Sequence, residues 1–217
     1  MNSVTAPSEA RRGVFISFEG ADGCGKTTQI ARLAAYCRAK GLDTVVSREP
    51  GGTAISEKIR SLILDPENTE MDAHTEALLY AASRAQHVAQ LIRPALSEGR
   101  IVLCDRFVDS SIAYQGVARG LGDGVRTINE FAVQSVMPDI TFFLDIDAET
   151  GHARNVREGK ADRLELEALS FHRLVCSAFR EIAAGDARFR RIDASQSVDE
   201  VFREIVTEFE AFMAERG

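Results

Sequence analysis

A glycine-rich segment near the start of the chain has the residue types and the spacing that phosphate binding requires. Residues 20–27 match the pattern G-x-x-x-x-G-K-[ST] in full. The glycines let backbone N–H groups converge on phosphate oxygens, the lysine adds a mobile cation, and the threonine hydroxyl can bind Mg²⁺. With the threonine that follows, the predicted triphosphate-binding residues are Gly20, Ala21, Asp22, Gly23, Cys24, Gly25, Lys26, Thr27 and Thr28.

Charged residues directly follow two other apolar runs. Asp105 and Arg106 come after IVLC (101–104), and Arg48 comes after LDTVVS (42–47). Ligands of open α/β sheets bind beyond the carboxyl ends of the strands, so Asp105 is placed to reach a Mg²⁺ ion beside Thr27. A planar guanidinium suits bidentate contact with a phosphate, which Arg48 and Arg106 could provide. The alternative for Arg106 is an ion pair at a strand end, and the alternative for Arg48 is a turn with a solvated arginine.

An aromatic ring and a guanidinium share one face of a predicted helix. Tyr80 lies four residues before Arg84 within an apolar stripe, and such a pair could stack on a base and bond its exocyclic oxygen. On these residues alone, a core tyrosine with a snorkelling arginine is the better interpretation. Polar side chains follow Arg106 at Ser110, Ser111, Tyr114 and Gln115, and they offer hydroxyls, one ring and one amide. By themselves these residues are a weak signal.

Four basic residues are crowded into ten positions around Gly159. They are Arg154, Arg157, Lys160 and Arg163. This pattern predicts a lid over about 154–165 that closes over the triphosphate and brings cations to a transferring phosphoryl group. The alternative is a solvated helix face, with Glu149, Glu158, Asp162 and Glu165 as ion-pair partners.

The elements that position these residues alternate along the chain. Apolar runs predict strands at 14–19, 42–47, 101–104, 140–145 and about 188–192. Helical patterns cover 26–40 and about 53–64, 71–97, 108–118, 125–136, 147–157, 165–184 and 197–215. The alternation predicts an α/β fold of the P-loop NTPase type, a three-layer α/β/α sandwich with a five-stranded parallel sheet and a short helical lid.

Composition limits the class of protein. The chain has 217 residues and a net charge of −7, which predicts one domain over 13–217 behind a flexible tail over 1–12. A basic stripe typical of nucleic-acid binding is missing, as are zinc spacing among the four cysteines, an apolar signal segment and a membrane-length apolar run. We therefore expect a cytoplasmic protein with reduced thiols whose partners are small molecules, not nucleic acid or membrane.

Several functions remain compatible with a phosphate-binding loop. No N-K-x-D sequence occurs, which disfavours a GTPase switch. A kinase for a nucleoside or for another nucleoside monophosphate is one alternative, although a nucleoside hydroxyl would need a base and fewer acceptor-side arginines. The other alternative is a nucleotide-dependent binding module that has no acceptor.

Five segments together are more specific than the loop alone. They are EGADGCGKTT (19–28), REPGGT (48–53), YAASR (80–84), DRFVDSSIAYQG (105–116) and DRLE (162–165). In this order they resemble the bacterial thymidylate kinase family, whose members phosphorylate dTMP to dTDP with ATP and Mg²⁺. The resemblance spans nearly the whole chain, and it also implies a homodimer.

The resemblance implies a role for each matching residue. Loop 20–28 with Lys26 would hold ATP, and Thr27 and Asp105 would hold Mg²⁺. The acceptor would be bound by Asp22, Arg48, Tyr80, Arg84, Arg106, Ser110, Ser111, Tyr114 and Gln115. Among these, Arg48 and Arg106 would bind its phosphate, Tyr80 would stack on thymine, and Tyr114 would crowd the 2′ position of the sugar.

The sequence departs from the family pattern in its aromatic residue and its arginines. Tyrosine occupies position 80, where the family often has phenylalanine. One branch of the family has an arginine inside the phosphate-binding loop, whereas this loop has none. The chain therefore resembles the branch whose catalytic arginines come from the lid, which implies that Lys26 and Arg106 act with Arg154, Arg157 and Arg163. Of these lid residues, Arg157 fits the pattern only with a small shift.

Overall fold

A single parallel sheet forms the centre of the molecule. The computed structural model describes residues 12–156 and 162–216. Its strands are β1 (Val14–Glu19), β2 (Thr44–Arg48), β3 (Ile101–Asp105), β4 (Ile140–Asp145) and β5 (Phe189–Asp193). Their order is β2-β3-β1-β4-β5 and every neighbouring pair is parallel, as the alternating pattern predicts. Strand β1 therefore lies at the centre, and the loop that follows it opens at the middle of the carboxyl edge.

Helices connect the strands and cover both faces of the sheet. They are α1 (Lys26–Ala39), α2 (Ala54–Leu64), α3 (Ala73–His87), α4 (Arg93–Ser97), α5 (Val108–Ser111), α6 (Asp123–Val133), α7 (Ala148–Val156), α8 (Leu169–Ala184) and α9 (Val198–Arg216). Two π-helical segments, π1 (Val88–Ile92) and π2 (Ile112–Ala118), continue α3 and α5. The α/β class is thus confirmed. Most of the predicted tail lies outside the described residues, as does Arg157 in the predicted lid.

The buried residues of β1 show how the sheet forms two cores. Ile16 and Phe18 pack with α1 and α9 on one face, whereas Phe15 packs with π1 and α4 on the other. Side chains alternate between faces along a strand, so the run VFISFE buries both sides. Helix α8 completes the second face through Phe171, Val175 and Phe179. Glu19, the last residue of β1, is completely buried.

The stretch predicted as a helix over 71–97 is helical without a break from Ala73 to Ser97, but it is not α-helical throughout. In the structure α3 ends at His87, π1 widens the turn and α4 resumes at Arg93. Pro94 explains the π turn, because proline has no N–H for the carbonyl four residues earlier and its ring crowds that carbonyl. The predicted helix over 108–118 widens likewise into π2 after Ser111. Helix α6 ends at Val133 because Gln134 and Ser135 both have positive φ angles.

Among the helices of residues 12–156 and 162–216, none is both long enough and apolar enough to cross a bilayer.

Candidate active site

A cavity of about 770 Å³ opens at the carboxyl ends of the strands. The loop after β1, the turn after β3, helices α2 and α3 and segment π2 all contribute walls. Its lining includes residues 22–29, Glu49, Pro50, Arg60, Tyr80, Arg84, Asp105, Arg106, Ser110, Ser111, Tyr114, Gln115 and Arg154. The fold therefore brings residues of all five sequence segments to one place, since Asp162, Leu164 and Glu165 of the last segment also line the cavity.

The phosphate-binding loop holds its lysine against its own backbone. Lys26 begins α1 and is 7% exposed. Its ammonium group donates to the carbonyl oxygens of Gly20 at 3.1 Å and Ala21 at 3.0 Å, and it lies 3.5 Å from the Cys24 sulfur. Residues 22–28 of the predicted set line the cavity. Gly20 contributes a carbonyl oxygen behind this lining, and a triphosphate would offer Lys26 stronger acceptors than neutral carbonyls.

The predicted metal-binding pair meets at the edge of the cavity. Thr27 donates its hydroxyl to Asp105 Oδ2 at 2.9 Å. Hydroxyl and carboxylate oxygens are the hard ligands that Mg²⁺ prefers, and the ion commonly uses one or two protein ligands together with phosphates. No larger cluster of three or more acidic, histidine or cysteine side chains suited to a metal occurs among residues 12–156 and 162–216. The two side chains fit a Mg²⁺ ion that is shared with a nucleotide.

Arg106 is the centre of a polar network between the loop and π2. Its backbone has a φ of 68°, in the left-handed region that non-glycine residues rarely adopt. The guanidinium donates to Gly20 O at 3.0 Å and to Ser110 Oγ at 3.1 Å, and it forms an ion pair with Asp22. It also lies 5.1 Å from the centre of the Tyr114 ring. These contacts hold a cation at the cavity wall, where an anionic ligand could reach it.

The ionisation of Asp22 reflects this network. Burial alone would raise the pKa of the Asp22 carboxyl, but the charges of Arg106 and Lys26 overcome burial and lower it to about 2. Tyr114 adds a hydrogen bond from its hydroxyl to Asp22 Oδ2 at 2.8 Å. Burial raises the pKa of Tyr114 well above its ordinary value. The site therefore holds a neutral tyrosine beside an ionised Asp22 at neutral pH.

Arg84 is fully buried, so the snorkelling interpretation of the Tyr80–Arg84 pair is wrong. Its guanidinium donates to Glu49 Oε2 at 2.7 Å, Ser111 Oγ at 3.0 Å and Phe107 O at 3.0 Å. Tyr80 is half-buried and lines the cavity together with Arg84. Burial, with a contribution from the charge of Glu76, raises the pKa of Tyr80. An aromatic ring and fixed hydrogen-bond donors thus share one wall.

Gln115 is held by an acid that the sequence analysis did not select. Glu76 of α3 is completely buried and accepts from Gln115 Nε2 at 2.9 Å. The same carboxylate forms ion pairs with Arg119 and Arg163. Burial opposes ionisation of Glu76, but these hydrogen bonds lower its pKa. The predicted lid residue Arg163 therefore binds α3, and it is not among the described residues that line the cavity.

Arg154 is the described lid arginine that reaches the cavity. It donates to Ala194 O at 3.2 Å and lies 3.5 Å from Gly23 O. Helix α7 packs tightly on the loop here, since a Cβ atom at Gly23 would lie 2.2 Å from Gly151 O. This close packing fixes the start of the predicted lid against the triphosphate loop.

The two arginines near β2 differ from expectation in their placement. Arg48 donates both of its contacts to Glu57, at 3.1 and 3.0 Å, and its side chain is 52% exposed. It is not among the described residues that line the cavity, whereas Arg60 of α2 is. Burial and the charge of the nearby Arg48 lower the pKa of Arg60, so the two cations are close. Arg60 lies seven residues after Thr53, which is two helical turns along α2. This spacing from the segment REPGGT (48–53) could have indicated a cation on the same face of the helix.

Comparison with known proteins gives one consistent result. The model of the family described as thymidylate kinase matches residues 18–205. Thymidylate kinase of Geobacillus thermodenitrificans is 54% identical over 198 residues, covering 89% of this chain and 88% of that protein. Thymidylate kinase of Finegoldia magna is 52% identical over 194 residues, covering 89% and 96%. The crystal structure of thymidylate kinase from Ehrlichia chaffeensis is 33% identical, with a TM-score of 0.74 over 91% of this chain and 99% of that chain.

Proposed function

This chain belongs to the thymidylate kinase family, and from that premise we propose that it transfers the γ-phosphate of ATP to dTMP, giving ADP and dTDP for dTTP biosynthesis. One observation in the structure supports this proposal most directly. Lys26 and Arg106 both donate to the carbonyl oxygen of Gly20, at 3.1 and 3.0 Å. A cation suited to the donor phosphates and a cation suited to the acceptor phosphate therefore lie side by side in one cavity.

The reaction needs positioning more than it needs a base. The second pKa of a phosphate monoester is about 6, so dTMP is mostly dianionic at neutral pH and its attacking oxygen is already ionised. The obstacle is the approach of two polyanions. Phosphoryl transfer is catalysed chiefly by alignment and by cations that stabilise charge on the transferring group. In this proposal Lys26 faces the donor, Arg106 binds the acceptor phosphate, and Arg154 approaches from α7. Arg48 would join Arg106 only by exchanging its contacts with Glu57 for the phosphate.

The wall formed by α3, α5 and π2 suits a thymine deoxynucleotide. We assign stacking on the base to Tyr80 and bonding to a thymine carbonyl oxygen to Arg84, which Glu49 holds in place. Gln115 and Ser111 lie near the base edge in this assignment. Tyr114 would occupy the space of a 2′-hydroxyl, because its ring is 4% exposed and its hydroxyl is bonded to Asp22. Deoxyribose would therefore be preferred over ribose.

Mg²⁺ completes the proposal as a cofactor. Thr27 and Asp105 would hold it, and the ion would supply charge neutralisation on the donor phosphates. The protein's own contribution at this point is to hold Asp105 at the end of β3 beside the first turn of α1. A cytoplasmic location and a homodimer remain predictions from the sequence.

A coupled assay of ADP formation tests this function. The purified chain is given ATP and Mg²⁺ with dTMP, dUMP, UMP, CMP, AMP or thymidine. We expect turnover with dTMP to exceed that with each of the others, and Lys26→Ala should nearly abolish it while leaving the circular dichroism spectrum unchanged. Preference for thymidine or for a ribonucleotide would contradict the assigned acceptor, and wild-type turnover by Lys26→Ala would contradict the assigned loop.

A further inference from the structure

Glu19 is a buried acid beside the cavity that the mechanism above does not use. It is the last residue of the central strand β1 and is completely buried. Both of its carboxylate oxygens are engaged across the sheet edge. Oε1 accepts from the backbone N–H of Phe107 at 2.7 Å, and Oε2 accepts from the hydroxyl of Ser110 at 2.6 Å. The carboxylate thus binds the turn after β3 and the short helix α5 that follows it.

These bonds continue to Arg106. Ser110 donates its proton to Glu19, which leaves its oxygen free to accept from Arg106 Nη1 at 3.1 Å. The backbone of Arg106 is held by the same strand, since its N–H donates to Phe18 O at 2.9 Å. The left-handed φ of 68° at Arg106 is unfavourable and must be imposed by its surroundings. Phe18 and Glu19, consecutive residues of β1, therefore accept from the N–H groups of Arg106 and Phe107 in this turn. Glu19 also contacts the Arg106 side chain indirectly, through the Ser110 hydroxyl.

The surroundings of Glu19 are mixed in charge. Arg106 faces it from the turn after β3, Cys104 lies on β3, and Asp109 is its acidic neighbour on α5. Asp109 is paired with Arg188 through two hydrogen bonds of 2.8 and 2.6 Å, so its own charge is balanced. Burial raises the pKa of Glu19 to about 7, with a further contribution from Asp109. A buried carboxyl is unfavourable unless its hydrogen bonds compensate, and here those bonds lead to Arg106.

We infer that Glu19 is a positioning residue for the acceptor phosphate. It accepts the Ser110 proton and the Phe107 N–H, and these two bonds aim the Arg106 guanidinium into the cavity. The inference rests on the proposed function, because it takes Arg106 as a contact of the dTMP phosphate. It adds that the acceptor site depends on an acid that would not touch either nucleotide.

The test is a Glu19→Gln variant in the ATP and dTMP assay. Glutamine keeps the size of the side chain and one acceptor oxygen, but its NH2 group only donates. It therefore cannot replace both carboxylate oxygens, which accept separately from Phe107 N–H and from the Ser110 hydroxyl. We expect the KM for dTMP to rise on the order of tenfold, as for loss of one charge-assisted hydrogen bond, with the KM for ATP changed less than about twofold. A matched control is Asp139→Asn, because Asp139 Oδ2 accepts from Phe15 N at 2.7 Å at the opposite end of β1. That variant should leave both KM values unchanged.

The split between the two KM values decides the inference. A merely structural role would lower the active fraction and hence kcat while leaving both KM values as in the wild type, and that result would overturn the inference. An equal rise in both KM values would also overturn it. If Glu19→Gln does not fold, Glu19→Asp shortens the side chain by one methylene group, withdraws the carboxylate from Phe107 and Ser110, and must show the selective rise for dTMP. Wild-type activity, measured alongside, separates failure of this inference from failure of the proposed function.

Discussion

Arg106 combines an unusual backbone with several polar contacts, so its loss should be felt at the acceptor side. It pairs with Asp22 and donates to Gly20 and Ser110. Removing one partner of a buried, hydrogen-bonded charge pair costs about 2–5 kcal/mol, since the remaining charge is left unpaired.

We predict that Arg106→Ala lowers kcat/KM for dTMP at least about 30-fold, the lower end of that cost. Steady-state kinetics at saturating ATP measure the change. The control is Arg100→Ala, because Arg100 precedes β3 as Arg106 follows it, and it pairs with the exposed Asp43. Arg100→Ala should change kcat/KM less than about twofold. Near wild-type kinetics for Arg106→Ala would refute its role.

The lowered pKa of Asp22 gives a prediction about stability and pH. Its carboxyl has a pKa of about 2 in the folded chain against an ordinary value of 3.8, so the folded state binds the proton less tightly than the unfolded state. The resulting stabilisation is present above the unfolded pKa and is lost as pH falls toward the folded one. The difference in unfolding free energy between wild type and Asp22→Asn should be constant above about pH 6 and about 1 kcal/mol smaller by pH 3. Urea unfolding at several pH values measures it, and a difference that grows toward low pH would disprove the assigned ion pair.

At the scale of elements, the local signals were predictable and the long-range partners were not. The bounds of β1 and β4 follow from the sequence because each is a buried apolar run that charge and turn residues end. The phosphate-binding loop follows too, since its chemistry lies in eight consecutive residues. Glu49 and Arg84 are 35 residues apart, and Glu76 and Arg163 are 87 apart. Such pairs depend on how α2, α3 and the lid pack, which no local pattern specifies.

The Glu76 cluster connects α3 to the residue after π2 and to the predicted lid, and its loss should weaken both connections. Glu76 on α3 binds Arg119 after π2 and Arg163 in the lid. The backbone N–H of Arg163 also donates to Leu64 O at the end of α2. Arg163 of the predicted lid thus contacts both α2 and α3. Gln115, which lines the cavity, donates to the same Glu76 carboxylate.

We predict that Glu76→Gln lowers the free energy of unfolding by about 3–5 kcal/mol, because two guanidinium groups lose a buried acceptor. Urea denaturation measures the loss, and hydrogen exchange should show faster exchange at the amides of residues 163–167. The control is Glu167→Gln, since Glu167 pairs with the same Arg119 but its side chain is 29% exposed. That change should cost less than about 1 kcal/mol. Equal costs for the two variants would contradict a buried cluster.

At the scale of the whole molecule, the chain is acidic while its cavity gathers cations. The net charge is −7, yet Lys26, Arg60, Arg106 and Arg154 all line one cavity. These cations attract anionic ligands locally, while the acidic net charge opposes non-specific binding to nucleic acid. The predicted homodimer would instead bury exposed apolar side chains. Helices α3 and α6 each expose a large one, Leu78 at 56% and Phe131 at 87%.

We predict that the chain is a dimer and that Phe131→Asp weakens the dimer at least about tenfold, since a charge replaces a large apolar side chain at the contact. A second copy of the chain that covered Phe131 would remove the apolar area of this ring from water. Sedimentation equilibrium over a range of concentrations measures the dissociation constant. Leu174→Asp on α8 is the control, because Leu174 is 49% exposed on another helix and should leave the constant unchanged. A monomeric wild type, or equal weakening by both variants, would show that α6 does not form the contact.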